Sequence, residues 1–201
     1  MPQAVLEFWF DFASTYSYPA AMRIAPLAMK AGVTVKFRPF LLGPIFKAQG
    51  WETSPSTLYP AKGRNMWRDL ERLCADLELP FRRPDIFPQN SLLAARVALI
   101  GLAQNWGENF CRAVFHAQFA EGRRIDDPAV IEALLTKLGA DLHATMGDAQ
   151  SEANKTRLRQ QTETAQRLDL FGAPSFRTSQ GELFWGNDRL EQALRWAVRA
   201  A

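Results

Sequence analysis

Cysteine is nearly absent from this sequence of 201 residues, which has Cys74 and Cys111 and no other. The two stand too far apart for a C-x-x-C redox pair, and alone they cannot build a zinc cluster. Each is expected to be a small core residue in a protein of a reducing compartment. An excess of one charge is lacking too. The 24 Lys and Arg against 21 Asp and Glu leave a formal +3, too weak a bias to make nucleic acid the main partner. No apolar run reaches the length needed to span a bilayer. The opening "MPQAVLEFWFDF" carries Glu7 and no basic stretch before its apolar run, unlike a secretory signal. A cytoplasmic protein without membrane contact is expected. His116 and His143 have no partner pattern and read as structural, and no metal is expected.

What is present is ordinary for a soluble globular protein, with 47% hydrophobic and 22% charged residues. The length fits one domain, or one domain carrying a large insertion. Charge is unevenly spread: residues 36 to 83 hold nine Lys and Arg, Lys36 and Arg38 among them, against five acids. That local excess suits a small anionic ligand, although a solvated helix face with i,i+4 pairs explains it equally.

The apolar "AVLEFWF" predicts a strand covered on both faces. "YSYPAAMRIAPLAMKAG" has Met22, Ala25 and Met29 at helical spacing and ends at Gly32, a good C-terminal cap. "VTVKFRPF" alternates and predicts a second strand, so the chain opens as a right-handed βαβ unit with parallel strands. Beyond Pro44 the periods are helical for more than a hundred residues. Met66, Leu70, Leu73 and Leu77 make one apolar stripe, joined by Trp67 and Cys74. "NSLLAARVALIGLAQNW" follows, capped by Asn90 or Ser91. "GENFCRAVFHAQFAEG" and "DPAVIEALLTKLG" are the next two helices, the second with Asp127 as N-cap and Pro128 at its first position. One long polar helix is expected from Asp148 to Leu168. "APSFRT" and "GELFWG" then predict a hairpin across "SQG", and "DRLEQALRWAVRA" a closing amphipathic helix. Because a lone hairpin is marginal in water, the two ends should share one sheet. Residues 1–44 with 169–201 then form an α/β domain, into which the helical residues 45–168 are inserted.

Within "FDFASTYSYPA", Ser14 stands at the turn from first strand to first helix. Alone it reads as a helix cap. The βαβ…ββα order, with a proline opening the third strand, resembles the thioredoxin fold, in which that proline is cis; here the bond is Ala173-Pro174, and the cis form would turn Ala173's backbone toward the active site. "FWFDFASTYSYPA", "FRPFLLGPIFK", "PFRRPDIFPQNSLLAARVAL", "FGAPSF" and "FWGNDRL" occur in an order that resembles the 2-hydroxychromene-2-carboxylate isomerases and kappa-class glutathione transferases, a DsbA-like group with helical insertions. The likeness runs along nearly the whole chain.

That resemblance implies glutathione as cofactor, with Ser14 at the place where thioredoxin-like oxidoreductases carry a cysteine. A serine cannot form a disulfide, so net thiol-disulfide exchange is excluded there and the sulfur must come with the ligand. A thiol beside a hydroxyl donor and a helix N-terminus is pushed toward its thiolate. The resemblance further implies Asn187 and Asp188 for the γ-glutamyl end, with Asp188 facing its ammonium, although an N-cap and a first-turn acid explain both without a ligand. Ala173 and Pro174 are implied for the cysteinyl peptide and Lys62 for the glycyl carboxylate. For a second, anionic aromatic ligand the candidates are Lys47 for its carboxylate, Asn90 for a hydrogen bond, and Tyr16, Trp51 and Trp67 for apolar walls. Trp51 falls where the transferases carry an asparagine that contacts glutathione. The expected activity is that of a glutathione-dependent isomerase in aromatic catabolism. The alternatives are a transferase conjugating electrophiles, or a noncatalytic binding module, and a homodimer is expected of a chain with exposed aromatics.

Overall fold

The computed structural model of the protein describes residues 3–199; Met1, Pro2, Ala200 and Ala201 lie outside the described residues. Strand β1 (Val5–Phe10), helix α1 (Ser17–Ala31) and strand β2 (Thr34–Pro39) form the expected βαβ unit. β1 and β2 are parallel, with Phe8 opposite Phe37. Helix α1 ends at Gly32, whose φ of 68° lies in the left-handed region and whose N–H reaches the carbonyls of Ala28 and Met29. A side chain there would be strained, hence the glycine.

Eight helices follow: α2 (Leu42–Ala48), α3 (Pro55–Leu58), α4 (Pro60–Asp76), α5 (Leu92–Gly101), α6 (Gly107–Phe119), α7 (Pro128–Lys137), α8 (Leu142–Gln150) and α9 (Glu152–Arg167). Asp127 caps α7 by accepting from Ala129 N–H at 2.9 Å. Pro44 sits in the first turn of α2, where a missing N–H costs nothing, so the helical run begins two residues before it. The long helix expected from Asp148 is broken. Asp148 belongs to α8, Ser151 is extended with ψ 147°, and its Oγ accepts from Asn154 N–H at 3.2 Å to start α9. With the chain extended at Ser151, the Asn154 amide has lost its intrahelical carbonyl, and the Ser151 hydroxyl supplies the acceptor that lets α9 start there.

Strand β3 (Ser175–Thr178) pairs antiparallel with β1 and strand β4 (Leu183–Trp185) antiparallel with β3, a 3-10 turn (Asn187–Arg189) follows, and α10 (Leu190–Arg199) closes the described chain. The sheet order is β2-β1-β3-β4, which joins the two ends of the chain as hydrophobic burial requires. On one face Phe8 stacks on Phe10 and Phe176, with ring centroids 4.9 and 5.5 Å away, and meets Phe37 edge-on at 5.2 Å. On the other, Trp9 packs on Phe40, with Ala165 of α9 in the same cluster. A central strand buried on both faces needs apolar residues without alternation, as "VLEFWF" supplies everywhere but at Glu7. Cys74 and Cys111 are free and fully buried, as expected, and burial pushes the Cys74 thiol up to about 11.

Candidate functional site

The chain leaves β1 at Asp11, an acid inside the apolar run "FDF". Its carboxylate is 4% exposed and accepts from Ser91 Oγ at 2.6 Å, Leu42 N–H at 2.7 Å and Ala13 N–H at 2.9 Å. One side chain thereby fastens the turn before α1, the start of α2 and the entry to α5. Burial raises the Asp11 pKa above the ordinary carboxylate value, and the three donors act against it. These tethered segments line a cavity of about 830 Å³.

Ser14 lies in that cavity's wall, 7% exposed. Its N–H donates to the Asp11 carbonyl at 2.9 Å, and its hydroxyl donates to the Ala173 carbonyl at 2.9 Å. The residue that precedes α1 is Tyr16, and no side chain caps that end, so Ser14 is not the cap its turn position suggested. The α1 amides therefore keep no side-chain acceptor, while the hydroxyl is held beside the peptide before Pro174. The Ala173-Pro174 bond is cis, as the motif predicted; Phe87-Pro88, also at the cavity, is cis as well and was not anticipated.

Tyr16, Trp51, Lys62, Asn90 and Ala173 line the same cavity. The Tyr16 hydroxyl donates to Asp69 at 2.8 Å, and burial, followed by that carboxylate, raises its pKa well above the ordinary tyrosine value. Trp51 leans on Phe46 with centroids 5.8 Å apart. The Lys62 ammonium lies 4.9 Å from the centre of the Tyr59 ring, and Lys62 is the one lysine or arginine among the described residues lining the cavity. Asn90 stands one residue before the N-cap of α5, and its Oδ1 accepts from Leu92 N–H at 2.9 Å; Ser91, at the N-cap position, gives its hydroxyl to Asp11 instead of to the helix.

Two candidates lie elsewhere. Lys47 is exposed on α2 and does not line the cavity, because Leu42, Gly43, Pro44 and Phe46 present the side of that helix that does. Trp67 is a core residue, 7% exposed, packed edge-on against Phe87 at 4.8 Å with the Arg83 guanidinium over its ring. Asn187 and Asp188 stand just outside the cavity lining. Asn187 is buried, and its Oδ1 accepts from Arg23 at 3.3 Å. It is not an N-cap, since Gly186 takes that place with φ 109°. The Asp188 side chain is 72% exposed and lies 3.5 Å from the Arg189 guanidinium.

The sequence reading missed Asp11, Phe46, Phe171 and Trp185. Phe171 and Trp185 are 48% and 54% exposed, face each other edge-on at 5.1 Å and line the cavity beside Ala173. Trp185 lies so close over Gly172 that a Cβ there would meet Nε1 at 2.5 Å. The isolated acid of "FDF" was the one signal available for Asp11.

Residues 5–195 match the family model of the DsbA-like thioredoxin domain. The chain belongs to the DsbA-like thioredoxin family, as the motifs indicated. Within that family it is 30% identical over 188 residues to a 2-hydroxychromene-2-carboxylate isomerase of Sphingobium xenophagum, covering 92% of this chain and 94% of the relative. A glutathione S-transferase kappa 1 of Caenorhabditis elegans is 34% identical over 83 residues, 41% of this chain and 36% of the relative. The solved structure of a 2-hydroxychromene-2-carboxylate isomerase superposes with a TM-score of 0.88 at 27% identity, covering 98% of this chain and 95% of that one. A cytosolic disulfide reductase, DsbM from Pseudomonas aeruginosa with GSH, shares the fold at a TM-score of 0.68 and 18% identity, over 98% of this chain and 96% of that one.

Proposed function

We propose that the protein is a glutathione-dependent isomerase of the 2-hydroxychromene-2-carboxylate type, in which Ser14 holds the tripeptide's sulfur as a thiolate. The observation that carries this reading is the buried Ser14 hydroxyl, 2.9 Å from the Ala173 carbonyl before a cis proline. A cavity of 830 Å³ has room for a tripeptide and a bicyclic ring system. When glutathione binds, its cysteinyl N–H takes the Ala173 carbonyl in the manner of an added strand, and the Ser14 hydroxyl rotates to donate to sulfur. Lys62 takes the glycyl carboxylate, and Asn187 and Asp188 the γ-glutamyl end beyond the rim. Glutathione, held there, would supply a nucleophilic thiolate for reversible addition to the substrate, with no net redox step.

The second ligand lies against Trp51 and Tyr16. Asn90 serves it with Nδ2–H, its Oδ1 being engaged by Leu92. Lys47 and Trp67 have no part in the site. One observation favours the transferase as a second reading: with Lys62 given to glutathione, the described lining offers no cation for a substrate carboxylate, which suits a neutral electrophile. Recovery of free glutathione after many turnovers selects the isomerase, and its stoichiometric consumption the transferase.

The test is titration of glutathione into the protein and into Ser14→Ala, following thiolate absorbance in the ultraviolet against pH. A charge-assisted hydrogen bond is worth about 1.5–3 kcal/mol, hence about one to two pKa units. The bound thiol pKa should rise by that amount in the variant. Equal values in the two proteins would refute the role of Ser14.

A further inference from the structure

The part of the sheet below Trp9, on the face toward α9, carries charge instead of core. Glu7 accepts there from Trp9 Nε1 at 3.2 Å and from Arg38 at 3.0 and 3.1 Å, and pairs with Arg177 at 3.8 Å. Beside it run two cavities of about 520 and 570 Å³, both lined by Arg38, Leu99, Arg157 and Gln161, so they form one groove between the sheet and α9. None of the described residues of this groove lines the Ser14 cavity.

Five cations line the groove: Lys36, Arg38, Arg112, Arg157 and Arg177. The acids are Glu7 and Glu108. Both acids are engaged, Glu7 by Arg38 and Arg177, and Glu108 by Arg112 at 3.5 Å. Two cations are left over. The Lys36 ammonium has no partner among the described residues, and Arg157 makes one contact, a 3.5 Å approach to the Leu99 carbonyl. Arg112 Nη1 is buried without a hydrogen-bond acceptor, the Glu108 contact being an ion pair that lacks hydrogen-bond geometry. An unmet buried donor is costly, and three surplus positive charges in a concave surface concentrate anions.

We propose that this groove binds a small polyanion of the phosphate type. Guanidinium groups present paired N–H donors that match phosphate oxygens, and Leu99, which lines both halves, gives such a ligand an apolar edge to rest on. The two acids in the lining set the limit on size. They leave room for a compact ligand that bridges Lys36 and Arg157 and repel a long phosphate backbone.

The experiment is calorimetric titration of the intact protein with inorganic pyrophosphate at 0.05 M salt. The parent should show saturable one-to-one binding. The double variant Lys36→Gln/Arg157→Gln removes two cations whose loss breaks no ion pair, so it should fold as the parent does and bind about ten- to thirtyfold more weakly. Arg68→Gln, an exposed cation on α4 outside the groove, should bind like the parent. Absence of saturable binding in the parent overturns the proposal. So does a double variant that binds as tightly as the parent, or an Arg68→Gln loss equal to that of the double variant, which would reduce the effect to net charge.

Discussion

Replacing Asp11 tests whether a buried carboxylate assembles the cavity. Its Oδ1 receives Ala13 N–H and Ser91 Oγ, and its Oδ2 receives Leu42 N–H. An asparagine cannot reproduce this. With its oxygen toward Ala13 and Ser91, its NH2 faces the Leu42 N–H; turned over, it faces the Ala13 N–H. Either orientation leaves one backbone donor against another, a cost of about 1–3 kcal/mol for an unmet buried group. In a chain of this size that lowers Tm by about 2–4 °C per kcal/mol. The cost depends on pH. Because burial raises the folded pKa of Asp11, the folded state holds this proton more tightly than the unfolded chain does. The stability from this group is therefore fully present below the unfolded value of about 3.9 and is lost as pH rises through the folded value. The asparagine of the variant does not titrate, so the margin of the parent over Asp11→Asn should shrink as pH rises from about 4 upward. Urea unfolding followed by tryptophan fluorescence reads both. A gap that is zero throughout, or that widens as pH rises, would refute the account of Asp11 as a buried, three-bonded acid.

Other substitutions test the packing and the site. On the proposed function, Lys62→Met should raise KM for glutathione at least tenfold and leave kcat within about twofold, since a lysine that takes the glycyl carboxylate would bind the tripeptide equally in ground and transition states; an unchanged KM in steady-state kinetics removes Lys62 from the site. At Gly107 an added Cβ would lie 2.2 Å from the Gly101 carbonyl carbon and the Leu102 nitrogen. Gly107→Ala should therefore cost about 3 kcal/mol or more, since backbone must shift. Gly147 is exposed within α8 with nothing within 4 Å of a Cβ, and Gly147→Ala should instead stabilise by about 0.5–1 kcal/mol. Denaturant melts of the two variants check the opposite signs.

The features legible in the chain were those written locally. "VLEFWF", the spacing of Met22, Ala25 and Met29, Gly32 after α1 and Asp127 before Pro128 each state their conformation within a turn or two, and all four appear in the structure. The break at Ser151 was missed because a cap residue and an ordinary polar helix residue look alike until the next amide is seen to need an acceptor. Lys47 and Trp67 were misplaced for a related reason. Trp67 sits in a helix whose apolar stripe was visible and Lys47 in a short one, α2, that was not read as a helix; in neither does the local sequence say which side meets the cavity.

Local order followed from the sequence by itself: which segments are strands, which are helical, and that no cysteine stands at the turn after β1, so that any sulfur chemistry there must use a sulfur the chain does not own at that position. Tertiary structure alone decided which partners meet. Ser14 and Ala173 are 159 positions apart, and Asp11 meets Ser91 across 80. Such pairings depend on three-dimensional closure of a buried space, where every donor must find an acceptor, and no local pattern of residues encodes the distance across which that acceptor will come.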